Sequence, residues 1–85
     1  MTTALIRKEY KLQDGFEYFY TLCESLEQKC YKVSIVLNKD KKVISENSIT
    51  IECDKNDAIA FFDKLVANLA TPLNLVYVAE DELTV

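Results

Sequence analysis

The hydrophobic repeat changes period once along this chain, at Asp54-Lys55-Asn56-Asp57. Before that point apolar residues recur at every second position. From Cys30 to Leu37, Tyr31, Val33, Ile35 and Leu37 alternate with Lys32, Ser34 and Val36, the pattern of a half-buried antiparallel strand. After it, Ala58, Ile59, Phe61, Phe62, Leu65, Val66 and Leu69 recur at helical spacing, with Asp63 and Lys64 turned outward. A run of strands followed by a helix dictates an α+β domain.

The earlier segments divide into two hairpins. Asp14-Gly15 is a strong two-residue turn signal, because glycine takes a positive φ without steric cost. It separates a polar strand over 3–12, with Ile6, Tyr10 and Leu12 at even spacing, from an aromatic strand over 16–24. In the second of these Phe16, Tyr18, Tyr20 and Leu22 share one face and Glu17, Phe19, Thr21 and Cys23 the other. The polar stretch 25–29 connects to the strand from Cys30, and 38–42 turns into a fourth strand over 43–53. Ile44 and Ile49 cannot share a face in a regular strand, so a bulge or break is expected near 45–48.

The helix is expected to be long, over 57–70, capped by the polar residues at 54–57 and ended by Thr71-Pro72. Residues 73–85 read as a short helix or a strand. Asn74 is placed to cap a helix that carries Leu75, Val78, Ala79 and Leu83 on one side, and this is the favoured alternative. The expected fold is thus one α+β domain over 1–85. Two β-hairpins form a four-stranded antiparallel sheet, one long amphipathic helix packs on one face, and a short C-terminal helix or strand follows.

Composition excludes several functions. One glycine and one proline in 85 residues leave no material for a phosphate-binding loop or a dinucleotide fingerprint. With no histidine, the usual general base and every Ser-His or Cys-His nucleophile pair are missing. Cys23, Cys30 and Cys53 lack the short paired spacing of a zinc site and read as reduced thiols. Asp54 and Asp57 lack the glycine and distal glutamate of a calcium loop. The chain is therefore expected to be no enzyme, with no cofactor and no metal.

The net charge of −4 is uneven. Residues 1–42 carry eight Lys/Arg against six Asp/Glu, and 43–85 carry two against eight. The basic part is too weak and too interspersed for a polyanion footprint. Arg7, Lys8 and Glu9 interrupt the start before an apolar signal region forms, so a cytoplasmic setting without a membrane is expected.

Four of the first five residues of 16–23 are aromatic, which raises base stacking as a function. Stacking platforms interleave rings with Lys or Arg, whereas here Glu17, Thr21 and Cys23 are interleaved. Packing is the reading these neighbours favour, with Phe19 the exception because it points away from the other rings. A single helix covers one side of a sheet. The other side would show Phe19, Cys23, Val36 and Ile44, and the final segment would expose Leu75, Tyr77 and Val78. Apolar groups of this kind mark contact surfaces on small domains. Phe19, Val36, Leu75, Tyr77 and Val78 form the expected interaction surface. The expected function is a non-enzymatic protein-interaction or regulatory module, binding an unidentified protein or a second copy of itself. RNA or single-strand binding through the aromatic face is the alternative.

Several stretches together resemble one family of small bacterial proteins known only as a domain of unknown function. They are Tyr18–Leu22, Tyr31–Ile35, Asp54–Asp57, Ala58–Leu69, Thr71-Pro72 and Leu75–Leu83. The resemblance spans about three-quarters of the chain and implies a helical ending and a cytoplasmic setting, without an activity. Members of that family often carry a histidine shortly after the proline, where this chain has Asn74.

Overall fold

In the computed structural model of the protein, the structure describes residues 3–75 together with Tyr77 and Val78. Four antiparallel strands run β1 (Thr3–Gln13), β2 (Phe16–Ser25), β3 (Cys30–Lys39) and β4 (Lys42–Ile51), and a helix α1 (Lys55–Ala67) follows. The strands lie side by side in sequence order. Two hairpins joined by a third give every strand an antiparallel neighbour through a short turn, so no crossover is required.

Turn chemistry sets the register. Asp14 and Gly15 have φ of 54° and 82°, and Asp40 and Lys41 have φ of 54° and 66°. Two successive positive values are the signature of a type I′ turn, whose twist matches that of the strands. Accordingly Gln13 pairs with Phe16 and Lys39 with Lys42. Lys39 also places its ammonium 4.7 Å above the Phe16 ring.

Alternation then sorts the side chains into two faces. On the first, Tyr18, Tyr20 and Leu22 of β2 and Tyr31, Val33 and Ile35 of β3 are buried. They form one cluster with Ile51 and with Ala58, Phe61, Phe62 and Leu65 of α1. Phe62 meets Tyr20 edge-on with ring centroids 6.5 Å apart, the arrangement that ring quadrupoles favour. Phe16, Tyr18, Tyr20 and Leu22 thus share a side as their spacing requires.

The helix is shorter than its sequence suggests: 13 residues from Lys55 to Ala67. Its N-cap is Asp54, whose carbonyl accepts from the Ala58 N–H at 3.0 Å. At the other end Leu69 adopts a left-handed φ of 51°. Its N–H donates to the Val66 carbonyl at 3.1 Å and the Ala70 N–H donates to that of Leu65 at 3.0 Å. This is a Schellman ending, completed by burial of both Leu65 and Ala70. The helix thus stops before Pro72 would end it, and Leu69, the last residue of the apolar repeat, lies where the chain has already reversed.

A second helical start follows. The Thr71 N–H donates to Asn74 Oδ1 at 2.8 Å, and the Asn74 N–H lies 3.4 Å from Thr71 Oγ1. That reciprocal pair closes the 72–74 turn in the manner of a capping box, and Pro72 lies in that turn ahead of the helical residues. The Val78 N–H then donates to the Asn74 carbonyl at 3.0 Å. Leu75, Tyr77 and Val78 take helical form, as the capping reading of Asn74 expects. The expected positions Ala79 and Leu83 lie outside the described residues.

Two bulges interrupt the edge strands. In β4 the pairing slips between Leu37 and Asn38, leaving Ile44 as the extra residue. The expected defect is present, just ahead of the 45–48 window. In β1 it slips between Leu5 and Arg7, leaving Ile6 as the extra residue. Ile6, Tyr10 and Leu12 consequently do not share a face. Ile6 packs against the core, while Tyr10 and Leu12 fall on the opposite side.

Candidate interaction surface

Four rows cross all four strands of the second face, and a shorter row of Thr3, Ser25 and Cys30 lies beyond the last of them. Leu12, Glu17, Asn38 and Val43 form the first. Tyr10, Phe19, Val36 and Glu46 form the next. Lys8, Thr21, Ser34 and Ser48 follow, and Leu5, Cys23, Lys32 and Thr50 form the last. Each row exists because antiparallel register places these residues directly opposite one another, within side-chain reach. Both bulges contribute. By shifting parity, they bring the odd-numbered Leu5 and Val43 onto a face otherwise built in β1 and β4 from even-numbered residues.

At its centre the Tyr10 and Phe19 rings sit 5.1 Å apart, tilted by 54°. The Tyr10 hydroxyl donates to Glu17 Oε2 at 2.9 Å. That carboxylate favours the protonated phenol and holds the Tyr10 hydroxyl above its ordinary pKa, with desolvation adding in the same direction. The contact ties the Tyr10 ring to the neighbouring strand. Tyr10 is 47% exposed and Leu12 64%, and Leu5 and Val43 are also exposed. Beside them a shallow open depression of about 420 Å³ runs over Lys32, Ser34, Val36, Glu46, Asn47 and Ser48. It is too open and too polar to enclose a small molecule.

The residues expected to form one surface divide. Phe19 and Val36 are paired partners on β2 and β3 and belong to the face just described. Leu75 does not: it is 0% exposed and part of the core. Val78 is half-buried and packs against that same core. Tyr77 is 68% exposed but lies on the 71–78 segment, whose Leu75 and Val78 join the Tyr20-side core. Helical spacing explains the division, since 75 and 78 fall on one side of a turn and 77 on another. Ile44 is unpaired at the bulge, and Val43 takes the place expected for it. Tyr10, Leu12, Leu5 and Val43 are the members that sequence reading missed. The Asp14-Gly15 turn carried the signal for Tyr10, since a two-residue loop after Gln13 puts it opposite Phe19.

The cysteines are free. Cys23 pairs with Lys32 and Cys30 with Ser25, so the two thiols are diagonal and not directly opposed. Cys53 lies by a second depression of about 370 Å³ with Tyr31, Glu24, Ser25, Lys29 and Asp54 on its walls. Burial first, and then the charges of Asp57 and Asp54, push its thiol pKa up, which suppresses the nucleophilic thiolate. Tyr31 reaches Glu24 Oε2 at 3.4 Å. Desolvation, then the Glu24 carboxylate, raise its hydroxyl pKa. Among the described residues no three of His, Cys, Asp and Glu gather where they would hold a metal ion. No helix there is long and apolar enough to cross a membrane.

Comparison with curated proteins and with solved structures found no match. A family model does match, and it spans residues 1–85. The chain therefore belongs to the family of unknown function DUF6514.

Proposed function

We propose that this protein is a non-enzymatic interaction module that binds a protein through the face bearing Tyr10, Phe19 and Val36. In this reading α1 and the 71–78 segment shield the Tyr20 side and leave the other side for a partner. One observation carries it: the tilted Tyr10–Phe19 pair, continued by Val36 and flanked by exposed Leu5, Leu12 and Val43. Rings and branched chains gathered on one side of a small sheet are the composition of an interface core. The same face carries Lys8 and Lys32 against Glu17 and Glu46, a balance that suits a protein surface better than a phosphate backbone. The absence of histidine and the raised Cys53 thiol pKa support a role without catalysis.

The test is capture from native lysate on immobilised wild-type protein, on Phe19→Glu, and on Tyr77→Glu. A protein held by wild type and Tyr77→Glu but released by Phe19→Glu supports the reading. Retention of every captured protein by Phe19→Glu, with its fold checked by circular dichroism, contradicts it.

A further inference from the structure

The four charged side chains in the rows of the Phe19 face are not scattered. Glu17 and Glu46 occupy the two rows nearest the Asp14-Gly15 and Asp40-Lys41 turns, and Lys8 and Lys32 the two rows farthest from them. The face is therefore neutral on a chain whose net charge is −4, acidic over two rows at one end, which include the Tyr10–Phe19–Val36–Glu46 row, and basic over the two rows at the other. A surface polarised in this way is complementary to itself when turned end for end.

From this charge arrangement we infer that the occupant of the face is a second copy of the same chain, stacked sheet on sheet about a two-fold axis that crosses the strands. The inference rests on the interaction-module reading and names its partner. The axis lies between the Tyr10–Phe19–Val36–Glu46 row and the Lys8–Thr21–Ser34–Ser48 row. Rotation about it carries each row onto its counterpart while β1 stays over β1 and β2 over β2. Leu12 then lies over Leu5 of the second copy. Glu17 sits over Cys23 of the second copy, with that copy's Lys32 beside it. Lys8 sits over Tyr10 of the second copy, next to that copy's Glu17. The two Phe19 rings flank the axis as diagonal neighbours. A two-fold axis along the strands would instead lay the acidic ends over each other, and like charges facing across an interface are destabilising. This choice is what a self-complementary contact requires.

Area is sufficient. Four strands spaced about 4.8 Å, each about ten residues at 3.4 Å rise, present a face of roughly 650 Å². Two such faces bury roughly 1,300 Å², within the range of specific interfaces. The Cα extents of 37 × 29 × 16 Å describe a plate, and stacking plates about 10 Å apart is the ordinary way to bury a second sheet face.

The experiment is sedimentation velocity on the full chain, with two charge-reversed variants run alone and mixed. One is Glu17→Lys with Glu46→Lys, and the other is Lys8→Glu with Lys32→Glu. The inference expects wild type to dimerise, each variant alone to dimerise about tenfold or more weakly, and the equimolar mixture to associate again. Recovery on mixing cannot arise from misfolding. Wild type that stays monomeric at high concentration overturns the second-copy inference, while capture sensitive to Phe19 would leave the broader reading standing. A wild-type dimer indifferent both to the charge reversals and to Phe19→Glu overturns the inference and the reading together.

Discussion

The Tyr20 hydroxyl donates a 2.7 Å hydrogen bond to the carbonyl oxygen of Ala70, fifty residues away. It joins the middle of β2 to the point where the chain leaves α1. Ala70 is the residue whose N–H closes the Schellman ending, so one short bond anchors the helix terminus to the sheet. A second tie lies nearby, where Asn47 Nδ2 donates to the Pro72 carbonyl at 3.2 Å.

Removing the hydroxyl leaves a buried carbonyl oxygen without its partner. Tyr20→Phe is therefore expected to lose about 1–3 kcal/mol, read as a lower midpoint in urea with an unchanged slope. A shift within error would mean that water replaces the phenol at Ala70.

The same group gives stability a dependence on alkaline pH. Burial, with a smaller contribution from Tyr18, pushes the Tyr20 pKa up to about 12, against an ordinary value of 10.0. Between those values the unfolded chain has lost the proton and the folded chain keeps it. Stability from this group is thus complete below pH 10 and lost as pH rises through 12. Urea midpoints measured from pH 9 to 12 should fall more steeply for wild type than for Tyr20→Phe. Equal slopes would show that Tyr20 is not what sets the decline.

Leu75 and Tyr77 separate packing from exposure within a single helical turn. Leu75→Ala is expected to cost about 2–5 kcal/mol because it opens a cavity beneath the 71–78 segment. Tyr77→Ala, at an exposed position, should stay within about 0.5 kcal/mol of wild type. Thermal unfolding decides the matter, and similar losses for both would place Leu75 outside the core.

The turns offer a prediction of opposite sign. Lys41 holds a φ of 66°, a conformation that costs a side-chain-bearing residue about 1–2 kcal/mol. Glycine regains most of that and loses part of it to unfolded-state entropy. Lys41→Gly should accordingly stabilise by about 0.5–1 kcal/mol. Gly15→Ala, with φ of 82° and no atom near the added carbon, should destabilise by a similar amount from backbone strain alone. Equilibrium unfolding of the two variants side by side checks both signs.

The central strands were readable in the sequence because alternation in 30–37 and the rings of 16–22 act on one physical quantity, the parity of burial. The edges were less so. A bulge changes the count of residues and not their kind, and the parity conflict between Ile44 and Ile49 reveals one such defect. Nothing comparable marks Ile6, since β1 is exposed along most of its length and its polar residues tolerate either register. The helix end was hidden because a leucine occupies the left-handed position where glycine would have announced it. At 73–78 the apolar run was too short for its period to separate helix from strand. The Thr71–Asn74 pair carried the information that hydropathy did not. Of the six apolar members of the candidate surface, only Phe19 and Val36 followed from alternation alone. Tyr10 and Leu12 needed the register that the Asp14-Gly15 turn imposes, and Leu5 and Val43 needed the two bulges.

The most direct measurement is a concentration series of amide and side-chain NMR spectra on the wild-type chain. Shifts that grow with concentration at Tyr10, Phe19, Thr21, Ser34 and Val36, with α1 unchanged, are the expected result. Shifts confined to α1 and Tyr77, or spectra identical from dilute to concentrated solution, would contradict the account.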